Sequence, residues 1–237
     1  MAEAASVDIS TNVWPLVSIA AYLLYPKGLR IHPSLLHGLS IAHNAALVLF
    51  SAYTFITLFC MILEHGLVFK HEYYFQNAPC FDTIIKLFYL SKYYEFVDTF
   101  LLHLNGKSPS FLQKYHHIGA VVCWHLHYIY RVDAIWIPTI ANSFVHTIMY
   151  SYYLGCLLKF SKVRSIKQFI TTLQLAQLGI PGFICLYYYV PPIETEFNYN
   201  LIIFFVQYVF ILVLLFVQFY YSSYLKPKLK KGEDKLL

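Results

Sequence analysis

Residues 34–63 read SLLHGLSIAHNAALVLFSAYTFITLFCMIL, an apolar run that contains no Asp, Glu, Lys or Arg. A helix needs roughly 20 predominantly apolar residues to cross a bilayer, so this stretch predicts a membrane-spanning helix. Comparable runs recur at 80–104, 110–131, 134–158, 166–190 and 199–225. A weaker one at 7–25 is interrupted by Asp8, Asn12 and Pro15. It lacks the basic leader and the cleavage site of a signal peptide, so it is read as a helix. The expectation is an all-α polytopic membrane protein of about seven transmembrane helices. They form one domain over 1–237, with a basic cytoplasmic tail at 226–237.

Composition agrees. The chain has 237 residues, 59% hydrophobic, 12% charged and 19% aromatic, with a mean hydropathy of +0.55. A soluble domain carries about 25% charged residues, so there is too little polar surface here for a water-soluble globule. No nucleic-acid partner is expected; the surrounding partner is membrane lipid. The five cysteines, at 60, 80, 123, 156 and 185, show no paired spacing for a disulfide framework or a zinc site.

Lys and Arg favour cytoplasmic loops. Lys27 and Arg30 lie between the first two spans, Lys107 between the third and fourth, and Lys159, Lys162 and Arg164 between the fifth and sixth. The tail adds Lys226, Lys228, Lys230, Lys231 and Lys235. The alternate loops hold only Lys70 and Arg131, beside Glu64, Glu72, Asp133, Glu194 and Glu196. Seven spans with a lumenal N-terminus and a cytoplasmic C-terminus satisfy the whole pattern.

Ionisable residues inside spans are expensive and mark sites. In the third span, Lys92, Glu95, Asp98 and Thr99 fall at i, i+3, i+6 and i+7, one side of a helix. In the fourth, Gln113, His116, His117 and Trp124 form a second stripe, and His125 and His127 beyond it are read as packing or interface residues. The fifth carries Asn142, His146, Tyr150 and Tyr153 at i, i+4, i+8 and i+11. The sixth adds Gln174 and Gln177. Run in their assigned directions, these stripes meet at similar depth, as a polar cavity open to the cytosol requires.

At this point the sequence resembles the ELO family of very-long-chain fatty acid elongases. Lys92-Tyr93-Tyr94-Glu95-Phe96-Val97-Asp98-Thr99 is similar to the family's KxxExxDT segment, and Phe111-Leu112-Gln113-Lys114-Tyr115-His116-His117 to its HxxHH box. Asn142 through Tyr153 is similar to NxxxHxxMYxYY, and Thr171 with Gln174 and Gln177 to TxxQxxQ. Gln113 stands where the common box has His, which resembles the polyunsaturated-fatty-acid elongases. Asn105-Gly106-Lys107 stands where many members have a basic triplet, leaving Lys107 and Lys114 to face the anionic CoA.

The resemblance implies a helix barrel around an acyl tunnel in the endoplasmic reticulum membrane. It implies a 3-oxoacyl-CoA synthase that condenses acyl-CoA with malonyl-CoA and releases CoA and carbon dioxide. His116 or His117 would be the nucleophile and His146 its partner, with Gln113 and Asn142 as neutral hydrogen-bond donors. Tyr150 and Tyr153 would orient the thioester, and Glu95 and Asp98 would set the His tautomers. No cofactor or metal is expected. The cycle implies a 3-oxoacyl-CoA reductase, a dehydratase and an enoyl reductase as partners. Two rivals differ in class. A membrane di-iron desaturase or hydroxylase needs several separated His boxes, and a seven-helix transporter usually shows internal repeats.

Overall fold

The computed structural model describes residues 9–24, 29, 31–160, 166–190 and 196–226. The predicted tail at 226–237 lies outside them except for Lys226. Each apolar run is helical. In order they are α1 (Ile9–Leu24), α2 (Pro33–His65), α3 (Tyr73–Asn77), α4 (Pro79–Tyr94) and α5 (Phe96–Leu104). The chain continues through α6 (Phe111–Ile129), a 3-10 turn (Asp133–Ile135), α7 (Trp136–Leu157), α8 (Lys167–Tyr189) and α9 (Glu196–Tyr220). Among the described residues there is no strand.

The helices close into a ring. α2 packs on α7, α7 on α8, α8 on α9, α9 on α6, α6 on α4, and α4 back on α2. α1 leans on α6 from outside this circle, and α5 on α2. The expected barrel is therefore a six-helix ring with α1 at its margin. Its outer surface is apolar, with Leu49, Leu63, Trp14 and Phe183 each about 70% exposed. Its interior holds Lys92, Glu95, His117 and His146, all buried. That inversion is what a bilayer selects.

Among the described residues, three helices are long and apolar enough to cross a membrane by length and composition alone: Pro33–His65, Lys167–Tyr189 and Asn198–Leu225. Of the other helices that carry polar stripes, α4 and α5 are too short, with 16 and 9 residues, while α6 and α7 are long enough but have apolar positions taken by His, Gln, Asn, Ser and Thr.

The run at 80–104 is two helices where one was predicted. The ladder changes step at Glu95, whose N–H donates to Ser91 while its own carbonyl takes the N–H of Asp98 at 3.1 Å, an i to i+3 bond. This tightening turns α5 relative to α4, so the four polar residues expected on one stripe face different neighbours. At the opposite end of the ring, α3 was not anticipated. Buried Asp133 accepts from the backbone N–H of Tyr74 at 2.7 Å and of Phe75 at 3.4 Å, fastening α3 to the turn before α7. The Tyr74 hydroxyl continues the fastening to the Gly66 carbonyl just past α2.

Candidate active site

α6 starts cleanly because the Ser110 hydroxyl accepts the N–H of Gln113, a helix cap. That start sets the helical phase of the His pair. Gln113 and His117 turn toward α5 and α1, while His116 turns toward α7 and α9. The three imidazoles converge, with ring centroids 5.4 Å apart for His116 and His117 and 6.5 Å for His116 and His146.

Lys92 organises the floor beneath them. Its ammonium, 1% exposed, donates to Glu95 Oε1 at 2.6 Å and to Asn142 Oδ1 at 3.1 Å, and lies 4.0 Å from the Phe88 ring centroid. An ammonium only donates, so Asn142 must present its oxygen to Lys92 and its NH₂ elsewhere. One of those hydrogens goes to Gln177 Oε1 at 3.0 Å. Asn142, Gln177 and His116 line a narrow slot together.

Not every expected residue joins this group. Glu95 Oε1 is 3.6 Å from His146 Nδ1, within ion-pair reach but longer than a hydrogen bond. Asp98 touches none of the three histidines. Its carboxylate accepts from the Tyr150 hydroxyl at 2.7 Å and lies 2.8 Å from His43 Nε2, because the step at Glu95 aims it toward α2 and α7. The Tyr150 hydroxyl donates to Asp98, and its ring packs on His146 with centroids 5.3 Å apart. Tyr153 stands at the margin, 42% exposed. Gln174 donates to the sulfur of Met149 and not to Asn142. His125 and His127 are buried packing residues, contacting the Tyr89 hydroxyl and the Cys123 carbonyl.

Two side chains were missed. His43 sits in an apolar run whose lone polar residues read as packing. Tyr22, in the weak first span, stacks on Phe96 at 4.2 Å, lies 6.2 Å from the His117 ring and has its hydroxyl 3.0 Å from Thr99 Oγ1. Gln113 donates to the same Thr99 oxygen at 3.1 Å. Tyr22, Thr99 and Gln113 thus make a partition between His117 and a cavity of about 710 Å³. That cavity is lined by His103, Lys107 and Lys114 together with Leu23, Leu29 and Ile31. Gly106, at φ 71°, makes the turn that brings Lys107 to it. Among the described residues, no three His, Cys, Asp or Glu side chains are arranged to hold a metal ion.

The fold is thus a six-helix ring that encloses a cluster of histidines, with a basic cavity at one end. The GNS1/SUR4 family model, ELO, matches residues 9–232, and the chain belongs to that family. It is similar to "Fatty acid elongase sre1" of Dictyostelium discoideum, 29% identical over 94% of this chain and 87% of that one. "Very long chain fatty acid elongase 2" of Mus musculus is 30% identical over 94% and 78%. "Fatty acid elongase 3" of Trypanosoma cruzi is 35% identical over 68% and 61%.

Proposed function

We propose that this member of the fatty acid elongase family is a 3-oxoacyl-CoA synthase that joins acyl-CoA to malonyl-CoA through an acyl-imidazole, without a cofactor. The observation that carries the reading is the slot lined jointly by His116, Asn142 and Gln177. His116 is favoured over His117 as the nucleophile because it alone of the pair lines that slot.

The chemistry balances as two half-reactions. An imidazole nitrogen of neutral His116 attacks the thioester carbon. The carbon–sulfur bond breaks, and the imidazole proton leaves with CoA as its thiol. Malonyl-CoA then loses carbon dioxide, its electron pair remaining as an enolate that attacks the acyl-imidazole. A carbon–carbon bond forms, the acyl–nitrogen bond breaks, and the imidazole recovers one proton from solvent. The free N–H of Asn142 stabilises the oxyanion in each addition. Lys92 holds that amide in register while neutralising Glu95. His146, edge-on to Tyr150, is the partner for the enolate.

Lys107 and Lys114 in the large cavity suit the CoA phosphates, which supports entry from that end. The charge bias of the loops supports a cytosolic placement of it and a lumenal N-terminus, and membership of the elongase family supports an endoplasmic reticulum membrane. Gln113 supports polyunsaturated acyl chains. The 3-oxo product requires a reductase, a dehydratase and an enoyl reductase to complete the cycle.

The test is purified protein given acyl-CoA alone. The expected result is stoichiometric CoA release and an acyl adduct on His116 by peptide mass spectrometry, both lost in His116→Ala. CoA release that appears only with malonyl-CoA would overturn the covalent step, and undiminished elongation by both His116→Ala and His117→Ala the site itself.

A further inference from the structure

Gly119 lies on α6 just past the His pair, and the Tyr208 ring of α9 is seated directly against it. A Cβ at 119 would stand 1.9 Å from Tyr208 Cε2 and 2.6 Å from both Cδ2 and Cζ. Atoms cannot approach so closely, so this seat exists only because residue 119 has no side chain. Two hydrogen bonds and a ring contact hold the phenol there. The Tyr208 hydroxyl donates to the His116 carbonyl at 3.0 Å, the Tyr115 hydroxyl donates to the Tyr208 carbonyl at 3.4 Å, and the two rings stack at 5.4 Å.

Tyr208 is also a wall of the slot beside His116. The slot measures only about 20 Å³, too little for more than one methylene or water. From there a seam of apolar contact continues away from the basic cavity. Pro138 and Phe205 line both the slot and the next crevice, which ends among His127, Cys185 and Ile202. At 1.5 Å per residue, His116 and His127 are about 16 Å apart along α6. The α8 wall of the seam contains Pro181 and Gly182. Proline interrupts the helix's hydrogen-bond ladder there, so this wall yields more easily than the others. An acyl tail attached at His116 has this seam as its continuation, and Tyr208 stands at its head.

We propose that Tyr208, seated on Gly119, is the acyl-chain gauge of this protein. The tail enters the seam by displacing the phenol, and the space left beside the ring sets which chains are extended. The inference rests on the elongase reading above.

The experiment uses the full chain in nanodiscs with malonyl-CoA and a ladder of saturated and unsaturated acyl-CoAs, with product lengths read by mass spectrometry. Tyr208→Ala is expected to extend the longest product by at least one two-carbon addition. It should also raise kcat/KM for the longest substrates, relative to the shortest, by about 10-fold, the scale of a gained methylene pocket. Gly119→Ala, which drives the ring into the seam, is expected to lower the same ratio by about 10-fold. The double variant Gly119→Ala/Tyr208→Ala should restore the long substrates, because the added methyl no longer meets a ring. Tyr208→Leu serves if Tyr208→Ala does not fold and should shift products the same way. Active Tyr208 variants with unchanged product lengths, or a Gly119→Ala defect that persists in the double variant, would overturn the gauge and leave the elongase reading intact. Wild-type protein that lengthens no acyl-CoA would overturn both.

Discussion

His43 on α2 places its Nε2 2.8 Å from Asp98 Oδ1 on α5, while Asp98 Oδ2 receives the Tyr150 hydroxyl of α7 at 2.7 Å. Three helices are therefore tied at one carboxylate, and Tyr150 is held edge-on to His146. His43→Ala removes one donor and leaves Asp98 half-satisfied, a loss of roughly 1.5–3 kcal/mol for a hydrogen bond to a charged group. We expect turnover to fall about 10-fold, equivalent to about 1.4 kcal/mol at the barrier, with little change in KM. His43→Gln, whose amide can still donate to Asp98, should recover part of it. Equal and unimproved kcat in both variants, with KM raised instead, would show that His43 acts on substrate binding and not through Asp98.

Lys92 and Glu95 form a buried pair, so replacing one should cost far more stability than replacing both. Lys92→Ala strands a carboxylate inside the ring, and breaking a buried pair typically costs about 3–5 kcal/mol. Lys92→Met/Glu95→Met removes both charges and should regain most of the thermal stability in detergent. Elongation should stay lost in the double variant, since Asn142 Oδ1 has no donor to fix its amide. A stable and active double variant would refute the role given to Lys92.

How much of the fold a sequence reveals depends on which interactions are local. Apolar runs of 20 or more residues and polar side chains at helical spacing are properties of single segments, so the helices and the stripes with His116, His117, Asn142 and His146 were legible. The change of step at Glu95 was not, because one i to i+3 bond leaves no mark on a hydrophobic pattern. His43 and Tyr208 were not legible for a different reason. A lone His or Tyr on an apolar helix reads as packing, and its role depends on partners 55 and 92 residues away. Asp133 was counted only as loop charge, yet it fastens α3, a helix too short to show periodicity.

Asp133 predicts a pH effect outside the spans. Burial pushes its carboxyl up to about 7, against the pull of the backbone N–H groups it receives. A folded-state value above the ordinary 3.8 means that the folded protein holds the proton more tightly. Stability then falls as pH rises from about 4 to about 7 and levels off above that. Amide exchange at Tyr74 and Phe75 should quicken over this interval in detergent-solubilised protein, and Asp133→Asn should flatten the dependence. Exchange that slows with rising pH, after correction for intrinsic rates, would reverse the assignment.

Tyr22 gives α1 a function that its weak hydropathy did not announce. Its ring stacks on Phe96 and its hydroxyl reaches Thr99, which also receives Gln113, so the partition between the basic cavity and His117 depends on it. Tyr22→Phe keeps the stack and removes only the hydroxyl contact, worth about 0.5–1.5 kcal/mol. We expect it to change KM for acyl-CoA by less than about 10-fold. Tyr22→Ala also removes the stack and unseats α1, and it should raise KM more steeply. Because water then reaches His117, it should also increase hydrolysis of acyl-CoA in the absence of malonyl-CoA. Free fatty acid measured in that assay separates the two variants. If Tyr22→Ala yields no more of it than the wild type, the partition does not exclude water and Tyr22 only anchors the first helix.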